Sequence, residues 1–130
     1  MTPPAAFDVG VAHRIGRYAD VVRVPAGHDL IVTSGTPGLL DDGTLPAEFT
    51  DEAVQAWRNV ERSLAAAGAR LADVVQVRQW LTSADDIKAY AAVRSGFITH
   101  EPAFMLAVVP GLVWPNIRLE IEVVAAVPAV

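Results

Sequence analysis

Two short stretches hold most of the side chains that could do chemistry. The first, Ile117–Glu122, reads Ile-Arg-Leu-Glu-Ile-Glu. In an extended chain Arg118, Glu120 and Glu122 stand on one side, and Ile117, Leu119 and Ile121 on the other. The second, Asp73–Thr82, places Gln76, Arg78, Trp80 and Thr82 opposite Val75, Val77, Gln79 and Leu81. Together they predict a sheet with one charged face, with Tyr18 at its rim. A carboxylate half-shielded on such a face can carry a proton, and its affinity rises with burial and falls beside an arginine. Glu120 is the candidate for that role. The alternative is structural: Arg78 and Arg118 neutralise Glu120 and Glu122 between subunits, because buried charges need partners. Glu122 suits the structural role better, and Glu120 fits either.

Other chemistries find little footing. His13, His28 and His100 sit in a strap, a turn and a helix end, without ligand spacing and with no cysteine to help, which argues against a metal site. There is no glycine-rich phosphate loop. Ser34 lies in Ser-Gly-Thr rather than in a Gly-x-Ser-x-Gly elbow, so a triad hydrolase is not expected. The absence of cysteine also removes disulfides and thiolate nucleophiles.

The composition sets further bounds. A chain of 130 residues is expected to form one domain, with residues 1–17 as an N-terminal strap. Hydrophobic residues make up 52% and charged ones 19%, more apolar surface than a small monomer can hide, which points to an oligomer. Ten Lys and Arg against fifteen Asp and Glu leave a formal charge of −5 without a basic run, so nucleic acid is not an expected ligand. No apolar stretch approaches the about 18 residues of a membrane-spanning helix. Met1–Val11 lacks both the basic start and the apolar centre of a signal peptide, and a cytoplasmic protein is expected.

The elements that must position these residues follow from periodicity. Ala19–Val24 and Leu30–Ser34 read as two strands joined by a five-residue hairpin loop. Ser34-Gly35-Thr36 either lines a cavity or is an ordinary strand exit, glycine allowing close approach in the first case. Phe49, Ala53, Trp57, Val60, Leu64 and Ala67 recur at helical spacing, predicting a helix over Asp51–Ala67 with Thr50 as N-cap and Gly68 as terminator. The strand Asp73–Thr82 follows. Ser83, reaching toward Asp86, opens a second helix that buries Ile87, Tyr90, Val93 and Phe97 and ends before Pro102. The apolar run between Pro102 and Pro110 suits a buried strand beside Ile117–Val127, the two forming a half-polar wall of the kind that lines pockets. The result is an α+β layer, two helices packed on one face of a mixed sheet.

An ordered set of short motifs resembles the Rid family, also called YjgF-like or L-PSP-like. The set comprises Tyr18 after Gly16-Arg17, Ile31-Val32-Thr33-Ser34-Gly35, Asp42-Gly43-Thr44-Leu45-Pro46, Asn59, Ala65-Ala66-Ala67-Gly68-Ala69, Asp73-Val74-Val75, Pro102-Ala103 and Leu119-Glu120-Ile121-Glu122. It spans about Arg14 to Ala126. The resemblance implies a chorismate-mutase-like fold and a homotrimer whose sheets face inward, with small-molecule pockets between subunits. It further implies cofactor-free hydrolysis of reactive enamines and imines, such as 2-aminoacrylate, to ketones and ammonia. Tyr18, Ser34, Gly35 and Glu120 match the family's site.

The sequence departs from that pattern at its centre. Family deaminases carry an arginine directly after Pro-Ala to clamp the substrate carboxylate, and here that residue is Phe104. The asparagine of many members' second helix corresponds to Ala91. Against the family pattern one extra residue lies between Phe104 and Glu120, around Gly111–Pro115, adding Trp114 near the expected mouth. The implied pocket is more aromatic and less cationic, with Phe104 and Trp114 packing the apolar part of a neutral or aromatic metabolite. Three readings follow: a divergent enzyme using Glu120 for proton transfer, a trimeric binding protein without catalysis, and an imine deaminase whose arginine has moved to Arg78 or Arg118.

Overall fold

The computed structural model describes Met1–Val130. Strands β3 (His28–Val32), β4 (Val74–Leu81), β5 (Ala103–Val108) and β6 (Leu119–Pro128) form a mixed sheet in the order β3-β6-β4-β5. β6 runs antiparallel to both β3 and β4, and β4 pairs in parallel with β5. Helices α1 (Phe49–Ala66) and α2 (Ile87–Phe97) cover one face. The alternation read in Ile117–Glu122 is present: Ile117, Leu119 and Ile121 are buried, whereas Glu120 and Glu122 lie half-buried on the other side. Trp57 and Tyr90, both inaccessible to solvent, anchor the two helices into that core, and Trp57 stacks on Phe97 with ring centroids 6.1 Å apart.

The expected hairpin between Ala19–Val24 and Leu30–Ser34 does not form. Its first arm becomes β2 (Val21–Arg23) and pairs with β1 (Ala5–Phe7), inside the segment read as a strap. Its second arm, β3, pairs with β6 over five residues, and the Gly27 carbonyl accepts from Ala129 N–H, so the turn is tied to the far end of the chain. This register buries Ile31 against Ala125, which a two-stranded hairpin could not do.

The other differences are local. α1 begins at Phe49, with Glu48 rather than Thr50 in the capping position, because Phe49 is itself buried. Ser83 Oγ accepts from Asp85 N–H at 3.2 Å and caps a 3-10 turn, Ala84–Asp86, that precedes α2. A register shift between Val74 and Gln76 takes Val75 out of the apolar row that Val77, Gln79 and Leu81 share.

Close contacts fix the loops that border the sheet. Asn59 of α1 donates to the carbonyls of Pro37 and Leu39, at 3.0 and 2.9 Å. Gly38 lies so close to α1 that a Cβ there would stand 2.2 Å from the Glu52 carbonyl oxygen. At the other edge, Asp20 accepts from the N–H groups of Val9 and Ala12, and Ala19 N–H donates to Pro102 at 2.9 Å, docking the N-terminal segment beside β5.

Candidate functional site

Glu120 sits in a cleft of about 350 Å³ whose lining includes Gly35, Trp80, Leu112 and Glu122. The loop clamped by Asn59 and Gly38 continues beside β6, where Thr36 and Ile121 exchange backbone hydrogen bonds of 2.8 and 3.1 Å. Gly35 therefore passes directly over Glu120: a Cβ at Gly35 would lie 3.0 Å from Glu120 Oε1. A side chain at Gly35 would therefore make the carboxylate give way by a few tenths of an ångström. Burial raises the proton affinity of Glu120 above the ordinary glutamate value, and the neighbouring Glu122 charge raises it further. No arginine opposes this shift.

The sequence pairs both Arg78 and Arg118 with that face, and the structure separates them. Arg78 Nε is ion-paired with Glu122, its antiparallel partner across β4 and β6. Arg118 lies elsewhere. Its Nε and backbone N–H both donate to the fully buried Glu52, at 2.7 and 2.8 Å, and its Nη2 donates to the carbonyls of Pro46 and Ala47. Arg118 thus secures the start of α1 and neutralises neither Glu120 nor Glu122, because the Glu52 carboxylate has no water to solvate it and takes the nearest cation. Ser34 is exposed, with its carbonyl accepting from Thr36 Oγ1 at 2.9 Å. Trp114, expected at the mouth, is 46% exposed in the turn before β6 and lines neither this cleft nor the next.

A second cavity, of about 410 Å³, opens at the β5 edge. Tyr18, delivered by the docked N-terminal segment, and Phe104 of β5 form its aromatic wall, with ring centroids 5.4 Å apart. Ala91 and Arg94 of α2 complete it. The Arg94 Cζ stands 4.3 Å over the Phe104 ring, a cation–π contact, and Nη1 donates to Gln79 Oε1 at 2.9 Å. Gln79 is inaccessible to solvent. The same Oε1 accepts from Tyr90 Oη at 2.7 Å, and its Nε2 donates to the Met105 carbonyl at 2.8 Å. Burial keeps the Tyr90 hydroxyl protonated, raising its proton affinity well beyond that of a free phenol.

Arg94 and Gln79 are not among the site residues named from sequence. The signal for them was present: Gln79 is a polar residue on the apolar side of β4, and Arg94 lies four residues after Tyr90 on the buried stripe of α2. A third cavity, of about 290 Å³ beneath the N-terminal strands, touches His100, whose Nε2 is already engaged with the Val74 carbonyl at 2.7 Å. No cluster of side chains suits a metal ion. No helix is long and apolar enough to cross a membrane.

Comparisons with known proteins converge. The family described as endoribonuclease L-PSP matches residues 10–127. The chain is 27% identical over 113 residues to the RutC family protein YjgH of Escherichia coli (strain K12), spanning 86% of this chain and 84% of that one. Its fold superposes with a TM-score of 0.83 on the Rid-family protein YyfB from Yersinia pestis, 21% identical over 97% of this chain and 100% of that one. RidA from the Antarctic bacterium Psychrobacter sp. PAMC 21119 superposes with a TM-score of 0.73, at 26% identity over 96% of this chain and 94% of that one.

Proposed function

Because the chain belongs to the endoribonuclease L-PSP family, also called the Rid or YjgF-like family, we propose that it is a cofactor-free hydrolase of small imines or enamines with an aromatic or apolar body, working in clefts between subunits of a homotrimer. The observation that carries this reading is Glu120: a half-buried carboxylate lying against Gly35, with no arginine of its own chain opposing it and with its proton affinity raised. Such a group can give a proton to an imine nitrogen and take one from the attacking water. Water adds to the C=N carbon, the C–N bond of the resulting carbinolamine breaks, and ketone and ammonia leave. Net consumption is one water.

Two features support an assembly. The face of the sheet away from the helices exposes Leu30 and Val32 at 60% and 71%, beside Trp80 and Val124. The Glu120 cleft and the Tyr18–Phe104 cavity also share no lining residue within one chain. Packing the open faces of three copies covers the apolar residues and offers the carboxylate of one subunit to the aromatic wall of the next. Mass measurement in solution tests the trimer directly.

The test of the chemistry is ammonia release from freshly generated 2-aminoacrylate and from a bulkier aromatic imine. Turnover of the aromatic imine is expected, with Glu120→Gln lowering kcat by about 100-fold or more while binding persists. Full activity in Glu120→Gln, or silence of the wild-type protein on both substrates, would remove the hydrolase reading. Silence together with saturable binding would favour the non-catalytic binding protein.

A further inference from the structure

We propose that Arg94 is the anion anchor of the Tyr18–Phe104 cavity, so that this site takes a carboxylate carrying an aromatic or flat apolar body. The guanidinium is half-buried and has no carboxylate partner within its own chain: the ion pairs there engage His13, Arg62, Arg70, Arg78 and Arg118, not Arg94. None of the residues lining the cavity is acidic. Arg94 spends one donor on Gln79 and rests its flat face on Phe104, which leaves the remaining edge donors for a ligand.

Its position is set before any ligand arrives. Gln79 is locked by Tyr90 on one side of its amide and by the Met105 carbonyl on the other, and the Phe104 ring limits tilt. A desolvated cation without a counter-ion is a costly arrangement, and burial indeed depresses its proton affinity, an effect Tyr90 and then Tyr18 partly offset. A carboxylate docked in the plane of the guanidinium forms the paired, fork-to-fork geometry that arginine favours and offsets that cost. The ring stacking sites are Tyr18 and Phe104, and Ile15, Ile87 and Leu106 supply apolar walls. The anion is thus held by α2, one element away from the strand position where the family's deaminases carry theirs.

What happens to the ligand after docking rests on the hydrolase reading above, whereas the docking itself does not. The probes are 3-phenylpropanoate and its neutral isostere 3-phenylpropanamide, titrated into the full-length protein by calorimetry. Wild-type protein is expected to bind the acid about 10- to 100-fold more tightly than the amide, the range of a charge-assisted pair. Arg94→Met should bring the acid down to about the affinity of the amide, a far larger loss than the amide itself suffers, and Arg94→Lys, keeping the charge but not the fork, should fall between. In wild-type protein the Arg94 Nε–H resonance should shift with the acid and not with the amide, a readout that does not depend on any variant folding. Equal binding of acid and amide, no binding of the acid, an unmoved Arg94 resonance, or undiminished acid binding by Arg94→Met would each overturn the proposal. Turnover of an aromatic imine bearing a carboxylate, abolished by Glu120→Gln but untouched by Arg94→Met, would overturn the anchor alone. Acid binding through Arg94 in a protein that releases no ammonia would overturn the hydrolase reading alone.

Discussion

Replacing Gln79 by Met tests whether the buried amide organises the second cavity. Met preserves the length and apolar volume of the side chain but offers neither the carbonyl nor the amide donor. Three partners lose their bond: the Tyr90 hydroxyl, the Met105 carbonyl and one Arg94 donor. Tyr90 is wholly buried and cannot turn to water, so its orphaned hydroxyl costs about 1–3 kcal/mol. The Met105 carbonyl adds about 1 kcal/mol more, while Arg94 can reach solvent and contributes little. A loss near 3 kcal/mol, set against about 2.1 cal/mol/K per residue for 130 residues, lowers Tm by about 11 °C. Tyr90→Phe alone should cost about 0.5–1.5 kcal/mol, since Gln79 Oε1 keeps Arg94. In the double variant the orphaned hydroxyl is gone, so the combined loss should fall short of the sum by about 1 kcal/mol or more. Urea unfolding of the four proteins of this cycle, at one fixed protein concentration because association shifts apparent stability, supplies the numbers. Additivity to within about 0.5 kcal/mol would refute the coupling, and a Gln79→Met loss below that figure would refute the network itself.

The loop and edge contacts give further expectations. Gly38→Ala should destabilise by about 1–3 kcal/mol, because its methyl meets the Glu52 carbonyl of α1, a backbone atom that cannot swing aside. Gly96→Ala, in α2 with open space around it, should raise the urea midpoint by an amount equivalent to about 0.5–1 kcal/mol. His13 bonds both Glu101 and Asp8, chiefly Glu101, and its proton affinity is raised above the ordinary 6.5. Its folded value exceeds its unfolded one, so this contribution is complete below the ordinary value and fades as pH rises through the folded value. A stability profile against pH should lose that decline in His13→Asn, and a wild-type NMR titration with an unshifted imidazole would contradict the assignment. Phe104→Arg should not by itself strengthen carboxylate binding, because it removes the stacking surface of Arg94 and sets two guanidinium groups in one cavity. Titration of 3-phenylpropanoate into Phe104→Arg checks this, and tighter binding than wild type would refute it.

Legibility in the sequence followed the range of the interactions. Elements whose periodicity is strong, α1, β4 and the Ile117–Glu122 alternation, lie within a few residues of where the pattern puts them, because burial of one face decides both pattern and structure. The hairpin between β2 and β3 failed because short loops favour local pairing only when no longer partner competes, and β6 competes from some 95 residues away. Close approach at Gly35 was among the readings of Ser34-Gly35-Thr36, whereas the identity of what approaches, Glu120, depends on the pairing of Thr36 with Ile121. Arg118 was misplaced for a related reason: alternation gives the side of a strand, but Arg118 precedes the first residue of β6, and a long side chain there can fold back to an α1 carboxylate.

Phe104 on β5 and Arg94 on α2 form one arrangement. An arginine after Pro102-Ala103 would need a polar environment for its guanidinium. With phenylalanine there, the same place becomes a flat, electron-rich floor, and the ring quadrupole attracts a cation brought from elsewhere. Arg94 meets that description because a helix places residues three and four apart on one side: Tyr90 goes into the core to hold Gln79, and Arg94, one turn later, reaches the same amide and then the ring. The guanidinium reaches the cavity from α2, and Tyr18 and Phe104 lie tilted against each other beside it, their rings 32° apart. The space beside such an anchor suits a ligand whose carboxylate and ring are separated by a short linker, and suits a three-carbon enamine poorly because so small a body leaves most of the about 410 Å³ unfilled.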